Sequence, residues 1–317
     1  MPKPLEKRER GLKAVHEMRE QRVAGRFARP TEKMFLAMGV SLALILGGYW
    51  YFAGRKLNRE KGDLLAKRNA VQVTIGAEWY PLRDRLERVV IDEAANLGPD
   101  FVDPSARAWD FQKRAGVYLR LRVLEAKDSK SIRKSAENSM RDGFVGCLIV
   151  SPNPALARGD ADAGAFGENP WNLRQAYAST RILTDEWARE VRESSDELRL
   201  RVFKQQYDKA VDTEIPLAAR IIKQADFFLA VLDEDVPEGR TDGGITSESL
   251  QVVTHPARVI LVDLHKDPGV VLRVRRTPQA GFRFVGDKAV EDPVTLDAMQ
   301  RQVNNCQLAN EVKAALQ

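Results

Sequence analysis

The twenty residues from Met34 to Ala53, MFLAMGVSLALILGGYWYFA, carry no charge, and Arg55 and Lys56 follow one glycine later. As a helix this run rises about 1.5 Å per residue, close to the roughly 30 Å of a bilayer's hydrocarbon core. Phe35, Leu36, Val40, Leu42, Leu44, Ile45, Leu46 and Phe52 each favour insertion by about 0.3–0.6 kcal/mol, and no central charge brings its penalty of about 3 kcal/mol. Tyr49, Trp50 and Tyr51 stand at the exit, where amphipathic rings suit the headgroup layer, and Arg55 and Lys56 can reach lipid phosphates. A core helix of a globular protein keeps a polar stripe, which Ser41 and the terminal tyrosines do not supply. A signal peptide begins its apolar stretch sooner, whereas 33 residues precede this one. The run therefore reads as an uncleaved single-pass anchor in the lipid bilayer.

Charge orients it. Lys and Arg number five in residues 14–33 and six in residues 54–73, so the immediate flanks cancel. Over residues 1–33, ten Lys or Arg stand against five Asp or Glu, and a short basic segment resists translocation while a long domain crosses largely regardless of charge. The expected order is a cytoplasmic basic tail (1–33), a transmembrane helix (34–53), a charged stalk (54–76) and an extracytoplasmic domain (77–317). Residues 77–317 contain no N-x-S/T acceptor, which fits an unglycosylated protein of a bacterial inner membrane. Removing the tail from the chain's 50 basic and 45 acidic residues leaves 40 of each. The +5 net charge thus belongs to the tail, and a nucleic-acid partner, which needs a basic face on the folded domain, is excluded. Gly39, Ala43 and Gly47 recur every four residues and share a helix face, where small side chains would let a second copy approach; this face is a candidate for a homodimer, although Gly and Ala are common in membrane spans anyway.

Beyond the stalk, Leu82, Leu86, Val89, Val90 and Leu97 form a helical stripe closed by Gly98-Pro99. Residues 117–126, VYLRLRVLEA, alternate Val117, Leu119, Leu121 and Val123 with Tyr118, Arg120 and Arg122, the period of a strand with one wet face. A helix is expected next, capped at Asp128 or Ser129, with Ile132, Ala136 and Met140 inward and Gly143 as its stop. Residues 144–150, FVGCLIV, read as a strand buried on both faces, which completes a strand–helix–strand unit. A long loop covers 151–170. Helices follow with Leu173, Tyr177, Thr180, Thr184, Trp187 and Val191 on one stripe, then Leu198 and Val202, then Ile215, Ala218, Ile222 and Ala225. Residues 226–234, 257–265 and 269–277 read as strands, the last two joined as a hairpin, with Phe282 and Phe284 as a short edge. A final helix from Pro293 turns Leu296, Met299, Val303 and Cys306 to one face. The fold class expected is a mixed α/β sandwich preceded by a single transmembrane helix.

Catalytic patterns are weak. Ser131-Ile-Arg-Lys134 matches S-x-x-K, but its partner motifs are missing, and two common residue types recur at this spacing by chance. His255 and His265 flank one strand, too far apart for a shared metal. Asp160, Asp162, Asp233, Asp235 and Asp242 lack the spacing of a calcium loop. Arg158-Gly159-Asp160 is three common loop residues. Cys147 and Cys306 could pair only if folding brings their Cα atoms within about 5.5 Å. No catalytic residue, metal or cofactor is assigned. The expected function is a non-catalytic binding or assembly module for an envelope protein or polymer, with loops 151–170 and 235–249 as contact surfaces. The alternative is a membrane-tethered enzyme whose site gathers Asp233, Asp235 and Asp242 with Ser151 or His255.

Overall fold

The computed structural model describes residues 13, 15–19, 32–96, 98–111, 113–137, 139, 142–149, 170–236, 247–266, 269–278 and 293–317. Two compact units divide the chain, Met1–Gly62 and Asp63–Gln317. Helix α1, Glu32–Ala95, runs through the boundary. In the first unit it contains a stretch long and apolar enough to cross a membrane, with none of that stretch buried against protein. In the second unit Leu64, Arg68, Trp79, Leu86 and Val90 are buried, so residues 63–76, expected as a stalk, belong to the folded part. Pro81 lies inside α1 and withholds one helical N–H.

The second unit is built on a sheet. After strand β1 (Phe101–Val102) come β2 (Gly116–Arg122), α2 (Ser129–Ala136), α3 (Gly143–Ile149) and β3 (Trp171–Asn172). Four helices follow, α4 (Arg174–Thr180), α5 (Asp185–Glu193), α6 (Glu197–Lys209) and α7 (Ile215–Gln224). The chain then forms β4 (Phe227–Asp233), the short α8 (Ser247–Leu250), β5 (Ala257–Asp263), β6 (Val270–Arg276) and α9 (Pro293–Leu316). The strands lie in the order β1-β6-β5-β4-β2-β3; β2 is parallel to β3 and β4, and the remaining pairs are antiparallel. The fold is therefore mixed α/β around one six-stranded mixed sheet.

Side-chain alternation along the strands feeds two cores. Val117, Leu119 and Leu121 of β2 join Leu86, Val90, Ile132, Tyr177 and Ala218, so α1, α2, α4 and α7 cover one face. Phe227, Leu229 and Val231 of β4 join Phe144, Leu148, Leu308 and Val312, so α3 and α9 cover the other. Local signals set the helix starts: the side chains of Asp128, Thr184 and Asp196 accept from the backbone N–H three residues on. Between α6 and α7, Ala210–Glu214 form a π turn in which Ile215 N–H reaches the Ala210 carbonyl; Pro216, having no N–H, prevents the regular ladder there.

Four expectations are corrected. Residues 143–149 are a helix, not a strand, because Phe144, Val145 and Leu148 pack against α9 at helical spacing; the parallel neighbours of β2 are β3 and β4. The polar side of β2 is not wet: Tyr118 and Arg120 are both buried, beneath α3 and α9. Leu198 and Val202 of α6 are exposed, since Leu200, Phe203 and Tyr207 form its buried side. The inward face of α9 is Asn304, Asn305, Leu308, Ala309, Val312 and Leu316, while Met299 is exposed. Met140, Phe282, Phe284 and the loop residues 151–169 lie outside the described residues.

Candidate functional site

The chain visits β2, β3 and β4 in sequence, but β2 lies between the other two, so strand order reverses at the β2/β4 pair. In open α/β sheets ligands bind in the crevice beyond the carboxyl ends of the strands at such a reversal. Here that place is filled by the protein's own charged side chains.

Arg120 extends from β2 toward α3 and α9. Its Nε donates to Asp233 Oδ2 at 2.8 Å and its Nη2 to Asp233 Oδ1 at 2.7 Å, a two-pronged pair with the last residue of β4. Its Nη1 donates to Asp142 Oδ2 at 2.9 Å and to Asn305 Oδ1 at 2.6 Å. The Tyr118 hydroxyl donates to the same Asp142 oxygen at 2.6 Å, and the Phe144 N–H donates to Asp142 Oδ1 at 3.1 Å, so one carboxylate serves β2 and starts α3. Asp233 also accepts from the Ser247 hydroxyl, and His255 Nε2 lies 2.9 Å from its Oδ1. His255 Nδ1 lies 2.9 Å from the Val253 carbonyl, so the ring bonds at both nitrogens only with a hydrogen on each. Asn305 Nδ2 donates to Gln251 Oε1 at 2.9 Å and Asn304 Nδ2 to the Gln251 carbonyl at 2.8 Å, tying α9 to the segment before His255.

Burial decides what this cluster can do. Asp233 is 0% exposed and Arg120 3%. Burial alone would raise the Asp233 carboxyl, but Arg120 and the His255 hydrogen bond outweigh it and hold the group far below the usual carboxylate range. The two carboxylates likewise outweigh burial at Arg120 and raise its guanidinium well above its ordinary value. With four hydrogen-bond donors around it, Asp233 has no lone pair left for a substrate proton, and its depressed basicity disqualifies it as a general base.

Of the sequence-derived candidates, the structure brings Asp233 to His255 but sends Asp235 to Arg122, Nε donating to Oδ1 at 3.0 Å. Ser151, Asp160, Asp162 and Asp242 lie outside the described residues, as does the Arg158–Asp160 tripeptide. Ser131 lies in the first turn of α2, its backbone N–H and its hydroxyl both donating to the capping Asp128 carboxylate, the hydroxyl at 3.1 Å. His265 sits at the far end of β5, 3.0 Å from Asp226. Among the described residues, no group of three or more His, Cys, Asp or Glu is placed to hold a metal. Cys147 and Cys306 are joined as a disulfide between α3 and α9, with Cα atoms 5.0 Å apart. Gly39, Ala43 and Gly47 lie on α1, and an added Cβ at either glycine would meet no atom within 4 Å. Tyr49, Trp50 and Tyr51 are exposed, with the Arg55 guanidinium 4.9 Å from the centre of the Tyr51 ring, and Lys56 pairs with Glu60 at 3.8 Å.

A separate apolar cavity of about 40 Å³, lined by Ile75, Trp79, Ala218 and Ile222 among others, has room for a few waters. Trp79, Trp109 and Trp187 each bury an indole N–H without an oxygen partner. Each stands edge-to-face with another ring, Tyr177, Phe227 and Phe203 respectively, an arrangement that the aromatic quadrupole favours without help from a ligand.

Sequence reasoning missed Arg120, Asp142, Ser247, Gln251 and Asn305. One signal was present: an acid closing the apolar run FFLAVLD is expensive unless a cation meets it, and two of the expected strands, 117–126 and 269–277, had arginines at alternate positions inside an apolar run. No family model, curated protein or solved structure matches the chain.

Proposed function

We propose that this is a single-pass, membrane-anchored envelope protein whose α/β domain is an extracytoplasmic, non-catalytic binding or assembly module for an envelope protein or polymer. The observation that carries the non-catalytic reading is the saturation of Asp233: the crevice where this sheet would take a substrate is closed by Arg120, Asp142, Ser247, His255 and Asn305. The anchor reading rests on the uncharged run 34–53, unburied in α1, and the outward placement on the basic tail and on the Cys147–Cys306 pair, since structural disulfides belong to oxidising compartments.

Partners meet helices and loops in this reading, because the edge strands β1 and β3 are two residues long and side chains take outward backbone groups of the longer strands beside them. On β6 the Arg275 N–H donates to Asp100 Oδ1 at 3.0 Å; beside β3, Ser139 takes the Arg120 carbonyl at 3.1 Å and Glu125 the Arg122 N–H at 3.0 Å. The enzymatic alternative has the Asp233–His255 contact in its favour and that saturation against it.

Four measurements test the proposal. The full chain is expected to stay with membranes through an alkaline carbonate wash, and protease added to intact spheroplasts is expected to degrade the C-terminal domain. Release by carbonate removes the anchor, and protection of the domain reverses the topology. Site-specific crosslinking from exposed positions of α6, Leu198 and Val202, is expected to trap the same envelope component repeatedly; substrate turnover by the purified chain, abolished in His255→Ala, would replace the module with the enzyme.

A further inference from the structure

The two helices that close the ionic cluster are the two that the disulfide joins. Cys147 lies in α3, whose first turn is started by Asp142; Cys306 lies in α9 directly after Asn304 and Asn305. Arg120 Nη1 reaches Asp142 on the α3 side and Asn305 on the α9 side, so a single cation and a single covalent bond hold the same pair of helices together, one inside and one outside. Asn304 and Asn305 in turn hold Gln251, at the head of the segment that carries His255. The sulfurs are reachable: Cys147 and Cys306 are half-buried, and the exposed Gln302 side chain donates to both, at 3.4 and 3.3 Å. Among the described residues, the fully buried apolar side chains of α9, Leu308, Ala309, Val312 and Leu316, lie in its second half, whereas Leu296 and Val303 ahead of the bond are only half-buried. Ahead of the bond, Arg301 ties the helix to Glu248 by an exposed ion pair, which holds weakly in water. Nor does α3 hold its own shape strongly: it has seven residues, two of them glycine.

We propose that the Cys147–Cys306 bond is a redox latch on the ionic cluster: closed, it shuts the crevice at the carboxyl ends of β2 and β4, and reduction opens that crevice while the domain stays folded. A dithiol reductant acts by exchange. Its thiolate attacks one sulfur and expels the other as a thiolate; its second thiol then displaces the first cysteine, leaving two protein thiols and an oxidised, cyclised reductant. The first half of α9 and the start of α3 lose their covalent register, Asn305 and Asp142 move off Arg120, and the Gln251–His255 segment is released.

The chain contains only two cysteines and three histidines, which makes the test specific. The full chain in lipid nanodiscs is treated briefly with diethyl pyrocarbonate, with and without dithiothreitol, and each histidine is quantified by mass spectrometry. His265, whose side chain is 70% exposed, is the internal standard for His255, whose side chain is 2% exposed. In the oxidised chain His255 is expected to react at least about a hundredfold more slowly than His265, and in the reduced chain within about tenfold of it, with the far-UV circular dichroism unchanged. C147S/C306S is expected to show the fast reaction with or without dithiothreitol. Continued protection of His255 after both thiols have been shown free, in the reduced chain or in the double variant, overturns the latch. Loss of the circular dichroism signal on reduction also overturns it, because the bond would then be a staple for the whole domain. The reduced wild-type chain decides the matter even where the variant does not accumulate.

Discussion

Arg120→Met is expected to destabilise the domain by about 3–5 kcal/mol, the cost of leaving buried carboxylates without their counter-ion. Asp233 would keep Ser247 and His255, and Asp142 would keep Tyr118 and the Phe144 N–H, but Asp233 would lose the cation that outweighs its desolvation and Asp142 its buried ion-pair partner. Removing the charges together should be far milder: in the triple variant R120M/D142N/D233N about 2 kcal/mol or more of the single loss is expected to return, as for other buried ionic groups replaced as a set. Urea unfolding at neutral pH checks both, and a triple variant as unstable as the sum of its parts would show that the cluster is not an energetic unit. The pH dependence has a definite sign. The folded Asp233 carboxyl lies below its ordinary value of 3.8, so its ionised contribution is complete above that pH and is lost progressively as pH falls beneath it. The stability gap between wild type and D233N is therefore expected to be flat down to about pH 4 and to shrink in stronger acid.

Patterns with a single physical cause were legible in the sequence. The uncharged run 34–53 depends on solvation alone, and strands β4, β5 and β6 announce themselves because runs such as FFLAVLD and ARVILVD are short, β-branched and bounded by turn residues. Residues 143–149 were not legible, because a seven-residue apolar run satisfies a buried strand and a buried helix equally; the choice falls to α9, which offers Phe144, Val145 and Leu148 a helical docking face. Arg120 failed for a related reason. Alternation in β2 separates two faces correctly, but a polar side is read as wet by default, and only the parallel register with β4, which sets Arg120 opposite Val231 and one long side chain's reach from Asp233, reveals that it is buried and paired. On α9 the stripe of Leu296, Met299 and Val303 was the more hydrophobic choice, yet Asn304 and Asn305 face inward because the cluster needs their amides. Local periodicity thus located most elements, while the site depended on long-range register that no local window contains.

The contact between Gly116 and Phe227 provides a second large effect and a sharper test of that register. The two residues are partners across β2 and β4, and both are buried. A Cβ on Gly116 would overlap the Phe227 ring at Cζ. The ring has nowhere to withdraw, because Trp109 and Phe111 stand edge-to-face with it at centroid distances of 5.9 and 5.6 Å. Gly116→Ala is therefore expected to cost about 1–3 kcal/mol through overpacking. Phe227→Ala, which empties the site and breaks both aromatic contacts, is expected to cost about 3–5 kcal/mol. In the double variant the methyl added at position 116 enters the space the ring has left, so the clash vanishes and part of the cavity is filled. G116A/F227A should then be no less stable than F227A alone, a coupling of about 1–3 kcal/mol in urea unfolding. Additive losses would mean that Gly116 is required by its backbone rather than by the ring above it, and that the pairing of β2 with β4 is not the one described.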